Sequence, residues 1–444
     1  MKTPLLALTL TSLLASAAST ALADNPLIMD QFTADPTGRL FDGKIYLYPS
    51  HDMNNAHEAR NGAGWFAMED YHVFSSSNLI DWKDHGVIIN QKDVPWVNGA
   101  ANAMWAPDCV TKNGKYYFYF PASNRIGVAI ADHPEGPFKV EAKPITGGID
   151  PCCFLDKDGT AYLVWAQNAL FIHKLKPNMT ELDPDVQTLR VPNLPTQGLV
   201  EGPFMFERKG IYYLTYPHAV KTAGFESEQL EYATGTTPLG PFTVKGVIMD
   251  QTANHCWTNH HSLVEYQGQW ILFYHDKQLS PSFDKDRSVQ ADYITFNDDG
   301  TINKVVPTFR GVGTRDAKAR IQIDRYSAMS KEGATVDFID KAKTFDGWKT
   351  TFTDKNAWIQ YNRVDFGAGG LKSVKVRALS SAGGTIEIRL DNPTGPVIAK
   401  VNIAKADDWK EMSASVLANP TAMHNLVVST PDKAEVAIDW VSFE

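Results

Sequence analysis

Three acidic residues stand in contexts that could do chemistry: Asp35 in FTADPTG, Asp150 in GIDPCCF and Glu201 in GLVEGPFMF. Asp35 and Asp150 each precede a proline, which disfavours the α region for the residue ahead of it, so an extended backbone is expected at both. Glu201 is followed by Gly202 and Pro203. Brought together, such carboxyl groups can divide acid and base work. One protonates a leaving oxygen while another activates water on the opposite face, which is what cleavage of a glycosidic bond requires. A third carboxylate close by would raise the acid's pKa by like-charge repulsion and keep it protonated near neutral pH.

The elements that must position these residues are marked by a motif that occurs five times. The copies are FDGKIYLYP (41–49), KNGKYYFYFP (112–121), KDGTAYLVW (157–165), RKGIYYLTYP (208–217) and YQGQWILFYH (266–275). Each is a turn glycine followed by an aromatic and aliphatic strand, and a strand-rich unit repeating at about 40 to 50 residues marks a β-propeller with one sheet per repeat. Asp35, Asp108, Asp150, Glu201 and His260 each lie a few residues ahead of one copy. With the motif as second strand of each blade, they fall on or beside the innermost strands. Four carboxylates and a histidine would then converge on the channel of a five-bladed propeller. His261, one residue on from His260, should face away from it.

After Gly313 the motif stops. Strands with clean alternation take over, among them SVKVRAL (373–379), TIEIRL (385–390), HNLVVST (424–430) and EVAIDWVSF (435–443). Their short length and Gly-rich turns predict a β-sandwich of jelly-roll type. The expected organisation is therefore all-β, with a propeller at 25–318, a charged connector near 314–323 and a sandwich at 324–444. Residues 1–23 read as a signal peptide: Lys2, an apolar run, then Ala21-Leu22-Ala23 as an A-x-A cleavage site. They predict a secreted or periplasmic protein. No later stretch is apolar and long enough to span a bilayer. The formal net charge of −9 argues against a nucleic-acid partner and suits a neutral ligand. A monomer is expected. The four cysteines, Cys109, Cys152, Cys153 and Cys256, could be bridged or serve as small buried hydrophobes.

FTADPTG, GIDPCCF and VEGPF, in this order on five repeats, resemble glycoside hydrolase family 43. MWAPD (104–108), GPFMFERKGIYYLTYP, CWTNHHSLVEYQGQWILFYH and Arg287-Ser288-Val289 extend the likeness over 25 to about 315. The resemblance implies an inverting glycosidase that requires no cofactor. Asp35 would be its general base, Glu201 its general acid, and Asp150 would tune and orient the acid. It also implies substrate-binding parts for Trp105, His260 and Arg287, with His260 as an axial residue near which a structural Ca²⁺ can sit. Asp108 has no acid or base part in that pattern and reads as structural.

WIQYNRVDFG (358–367), VRALSSAGGTIEIRLDNPTGPVIAKVNI (376–403) and AIDWVSFE (437–444) resemble a family 6 carbohydrate-binding module. Ser327-Ala328-Met329 stands where that family usually begins E-A-E, and Trp409 and Tyr361 are the nearest candidates for its cleft aromatics. The combined expectation is an exo-acting hydrolase of pentosyl linkages in plant cell-wall polysaccharide or oligosaccharide, an α-L-arabinofuranosidase or a β-xylosidase. The stretch 51–97 should form loops at the channel mouth that close the pocket. Alternatives are an arabinan-directed hydrolase or a non-catalytic sugar-binding propeller. A retaining fructosidase is disfavoured, because that class carries R-D-P and E-C where this chain has Ile149-Asp150-Pro151 and Glu201-Gly202.

Overall fold

The computed structural model of the protein describes residues 21–22, 24–53, 64–98, 102–166 and 168–444. Apart from Ala21 and Leu22, the leader read at 1–23 lies outside them. Each repeat motif forms the second strand of an antiparallel sheet. Sheet I comprises Phe32–Phe41, Lys44–Asp52, Asp70–Ser76 and Asp81–Asn90. Sheet II is built on Asp108–Lys112, Lys115–Ala122 and Arg125–Ala131, and sheet III on Ile149–Leu155, Ala161–Ala166, Leu170–Lys174 and Leu189–Arg190. Sheet IV comprises Phe204–Arg208, Ile211–Thr222, Phe225–Gly235 and Thr243–Met249, and sheet V His261–Tyr266, Gln269–Asp276 and Ser288–Ile294. The repeated glycine serves the turn between the first two strands. At Gly43, Gly114, Gly210 and Gly268 both it and the residue before it have positive φ, as a two-residue type I′ hairpin requires.

The first strands touch one another in chain order from I to V, and that of V lies against that of I. Apolar clusters fill the gaps between neighbouring sheets, with Phe74 and Trp82 meeting Phe273 between I and V, and Tyr48 meeting Phe118 between I and II. Gly38 belongs to this closure. A β-carbon there would come within 2.7 Å of the Phe273 ring. The N-terminal segment fastens onto the last strand of sheet V. Leu27 N–H donates to Val289 O at 2.8 Å, Thr33 N–H to Arg287 O at 3.0 Å, and the Asn25 side chain accepts from Ala291 N–H at 2.8 Å.

Beyond residue 313 two six-stranded sheets share one apolar core. Trp358–Asp365, Gly384–Leu390, Val397–Ile403 and Met423–Ser429 lie in one, and Ala334–Phe338, Trp348–Phe352, Ser373–Leu379, Lys410–Ser415 and Val436–Phe443 in the other. The stretch expected as a connector is woven into them: Arg315–Asp316 pairs with Trp358–Asp365, and Ile321–Gln322 with Val436–Phe443. Buried Ala317, Ile321 and Ile323 account for this.

Two further expectations are corrected. Within 51–97, the part from 70 to 90 is not a mouth loop but the outer half of sheet I, because 70–76 and 81–90 send apolar residues into the gaps on either side. Among the described residues of that stretch Trp65, Phe66 and Met68 line the central cavity, and 54–63 lie outside the described residues. Tyr361 is not a cleft aromatic. It is 1% exposed, and its hydroxyl donates to Asp24 Oδ1 at 2.5 Å. Trp409 is half-buried, with the Arg377 guanidinium 4.9 Å from its ring centroid.

Asp24, Arg310, Arg315 and Tyr361 together lock the C-terminal sheets to the N-terminal ones. Asp24 accepts from Arg310 Nη1 at 3.1 Å and from Arg315 Nη2 at 3.4 Å, and all four side chains are buried. Substituting Asp24→Ala would strand two buried guanidiniums, at a cost of about 3–5 kcal/mol. A lowered urea midpoint should report it, with the smaller loss in Asp24→Asn.

Candidate active site

The inner strands bring Asp35, Asp150, Glu201, Trp105, His260 and Arg287 to one cavity, walled also by Trp65, Phe66, Trp257, Thr258 and Asn259. All six residues singled out from the sequence line it. Asp108 does not. Its carboxylate takes a bidentate pair of bonds from Arg39 at 2.9 and 2.7 Å and one from Cys153 N–H at 2.6 Å, tying the first strands of sheets I, II and III. His261 faces away as expected, its Nε2 2.6 Å from Thr215 Oγ1. The four cysteines are buried and unpaired.

Asp35 and Asp150 are not extended. Their φ angles are 48° and 54°, and each sits where the pairing with the neighbouring strand slips, between Ala34 and Thr37 and between Ile149 and Cys152. Proline disfavours the right-handed region ahead of it but leaves this left-handed one, which Asp tolerates better than most residues. The Asp-Pro pair thus makes a bulge that turns the carboxyl out of the ladder and into the cavity. At Asp35 a buried hydrogen bond holds it: Asp35 N–H donates to His275 Nδ1 at 3.0 Å, and His275 Nε2 lies 3.0 Å from Thr258 O. That fixes the tautomer, with Nδ1 accepting and Nε2 donating. Burial, followed by the charge of Arg287, lowers His275 to about 3, so the ring is neutral.

The charges around Asp35 and Glu201 differ in kind. Arg287 donates through Nη1 to Asp35 Oδ1 at 2.9 Å and through Nη2 to Asp35 Oδ2 at 3.3 Å. It also donates through Nε and Nη2 to the two Asp52 oxygens, each at 2.9 Å. The Phe66 ring lies under it at 4.6 Å, and Ser50 Oγ donates to Asp35 Oδ2 at 2.5 Å. Burial alone would raise Asp35, but Arg287, with help from the Ser50 hydrogen bond, outweighs it and brings the carboxyl down to about 2. Asp35 is therefore ionised.

Glu201 has no cation of its own. It hydrogen-bonds to Glu228, whose Oε2 accepts from Asn259 N–H at 2.6 Å. Burial first, then the Glu228 carboxyl, push Glu201 well above the usual carboxylate range. Burial likewise lifts Glu228 to about 8. Asp150 is raised by burial and then by Glu201, and its Oδ2 accepts from Gly202 N–H at 3.1 Å. Gly202 is obligatory here, since φ is 51° and a β-carbon would stand 2.8 Å from His260 Nδ1. His260 is brought down to about 4 by burial and is neutral.

One ionised carboxylate under an arginine clamp therefore faces a carboxyl kept protonated, inside an aromatic-walled cavity. This is the division of labour for acid–base cleavage of an acetal. Residues 23–302 match the sequence model of Glycosyl hydrolases family 43. The chain belongs to that family. Residues 327–444 of this family 43 hydrolase match Carbohydrate binding module (family 6). It is 36% identical over 331 residues to xylosidase/arabinosidase 43A of Humicola insolens, covering 62% of this chain and 98% of the relative. Arabinoxylan arabinofuranohydrolase of Bacillus subtilis (strain 168) is 28% identical over 484 residues, covering 93% of this chain and 91% of the relative. Among solved structures, a family 43 β-xylosidase/α-arabinofuranosidase from a compost metagenome, in complex with xylotriose, superposes with a TM-score of 0.56 at 34% identity. It covers 64% of this chain and 97% of its own. A family 43 arabinoxylan arabinofuranohydrolase from Bacillus subtilis, in complex with cellotetraose, gives 0.55 at 26% identity over 96% and 99%.

Sequence reading missed Asp52, Ser50, Glu228, Asn259 and His275. Ser50 and Asp52 had a signal, being alternate polar residues at the end of an apolar strand and so on one face of it. Glu228 had none, as one of three glutamates in FESEQLEYATG. The Asn259 amide lines the cavity, is 2% exposed, and has no hydrogen-bond partner on either side-chain atom.

The raised carboxyls make stability fall with pH. Above about pH 7.5 histidines lowered by the fold are neutral in both folded and unfolded chains and drop out of the balance. Glu228 at about 8, with Asp286 and Asp324 at about 7, then holds protons in the folded chain that the unfolded chain has released. That stabilisation is complete below the unfolded carboxyl pKa and disappears as pH rises through the folded one. Urea unfolding should show stability declining from about pH 7.5 to 9. Glu228→Gln should make the decline shallower by up to about 1 kcal/mol per pH unit.

Proposed function

We propose that this family 43 hydrolase is an inverting, exo-acting α-L-arabinofuranosidase or β-xylosidase on arabinoxylan and xylo-oligosaccharides. Asp35 serves as general base and Glu201 as general acid. The observation that carries this reading is the unequal placing of positive charge. Arg287 grips Asp35 directly, whereas Glu201 lies among Glu228 and Asp150. Asp35, ionised, takes a proton from the attacking water, and Glu201, protonated, gives one to the leaving oxygen. Each then carries the other's starting charge state until solvent resets both. Glu228 joins Asp150 in keeping the acid protonated, and Asp150, by receiving Gly202 N–H, also fixes the backbone beside Glu201. The names of the relatives support pentosyl substrates, and the four aromatic walls support a stacked sugar.

We read the five sheets as five blades of a propeller from 25 to about 313, joined to a sandwich that takes in Arg315–Asp316 and Ile321–Gln322 as well as 324–444. A Ca²⁺ at His260 finds a poor protein cage. Calcium takes six to eight oxygens, and among the described residues no three His, Cys, Asp or Glu ligand atoms converge there.

On aryl glycosides, Glu201→Gln and Asp35→Asn should each cost roughly 10²–10⁴ in kcat, with circular dichroism unchanged. Glu228→Gln should retain more turnover but move the alkaline limb of kcat/KM to lower pH, because removing the neighbouring carboxyl lets Glu201 ionise earlier. NMR of early product should show β-L-arabinose released from arabinoxylan, or α-D-xylose from xylo-oligosaccharide ends. The opposite anomer would overturn the assignment of base and acid.

A further inference from the structure

Outside the cavity, sheet I gathers a second set of chemistry-bearing side chains. The register that pairs Ser50 with Tyr71 sets His51 opposite Asp70, and His51 Nδ1 lies 2.8 Å from Asp70 Oδ1. His72, two residues on from Asp70, shares its face. The two imidazole centroids are 5.0 Å apart. His72 Nδ1 lies 3.0 Å from Asp84 Oδ2 on the next strand. One ligand atom from each of His51, Asp70 and His72 falls within 4.8 Å of the other two, and among the described residues no other three His, Cys, Asp or Glu do so. The His51, Asp70 and His72 side chains are 17, 13 and 14% exposed, sheltered from bulk water but open to an ion. Gln31 sits beside them. Its amide nitrogen donates to Asp84 Oδ2 at 3.2 Å, while its Oε1 is buried with no partner.

We propose that His51, Asp70 and His72 bind a divalent transition metal of the zinc type, with solvent completing its coordination. Two imidazoles and one carboxylate are a donor set zinc accepts, with water in the remaining position. Too few oxygens are present for calcium, which takes six to eight. Asp52 follows His51 and points to the opposite face, where it holds Arg287. An ion on His51, Asp70 and His72 would therefore join the second and third strands of sheet I directly behind the clamp on Asp35.

The test is equilibrium dialysis of the full chain against ZnCl₂ at pH 7.5, with bound zinc measured by mass spectrometry and Tm recorded alongside. One zinc per chain and a raised Tm are expected. His51→Ala, His72→Ala and Asp70→Asn should each weaken uptake about tenfold or more, while His85→Ala, on the same sheet but outside the cluster, should leave it intact. If the histidine variants do not fold, the visible spectrum of the Co²⁺-loaded unsubstituted chain decides. Bands of a four- or five-coordinate nitrogen and oxygen site are expected, and an aquo-ion spectrum overturns the site. Absence of stoichiometric zinc, or uptake unchanged in both histidine variants, overturns it equally.

Discussion

Arg287 is bonded at once to Asp35, to Asp52 and to the hydroxyl of Thr258, and it is 2% exposed. A buried guanidinium with two carboxylates is tolerable only when all its donors are met and the geometry is fixed. Much of the upper half of the N-terminal domain meets that demand. Sheet I supplies Asp35, Ser50 and Asp52, and sheet V brings Arg287 itself. The N–H of Arg287 donates to Asp52 Oδ2 at 2.9 Å, and its carbonyl accepts from Thr33. The same residue that sets the charge of Asp35 therefore also helps stitch the last sheet to the first.

That single cation explains how carboxyls in one small cavity differ in protonation. Burial raises every one of them, since a low dielectric disfavours the charged form. At Asp35 the charge of the guanidinium outweighs burial and the carboxyl ionises; at Asp52, which the same guanidinium also touches, burial wins and the pKa stays raised. Glu201, Asp150 and Glu228 lack such contact and raise one another. The acid–base asymmetry is thus made by the placement of one arginine and not by any difference between the carboxyls themselves. His275 and His260 remain neutral because burial disfavours their cationic forms and the charge of Arg287 acts in the same direction.

The two halves of the chain are held by a second buried cluster of the same design. Asp24 at the start of the described N-terminal domain answers Arg310 and Arg315, with Tyr361 from the C-terminal sheets completing its hydrogen bonds. Arg325 adds a bond to Asn25 O and stacks on Trp348 at 4.0 Å. Tyr361 was misread because an aromatic flanked by polar residues in a strand looks the same whether it faces a ligand or another domain.

The sequence by itself determined the all-β class, the five repeated sheets and the positions of Asp35, Asp150 and Glu201 ahead of them. These follow from local rules: a glycine that accepts positive φ, a two-residue side-chain period, and a proline that interrupts a strand. Turn chemistry and strand period act over a few residues, so one chain read from end to end displays them. It did not reveal that the Asp-Pro pairs would bulge in a left-handed conformation, which at Asp35 is held by His275, 240 residues away. Nor could it pick Glu228 from its neighbours, or pair Arg287 with Asp52, or place His51 beside His72. Those are juxtapositions across sheets or across strands, and protonation in a buried site is set by distance to other charges. Only the closed tertiary structure decides such distances.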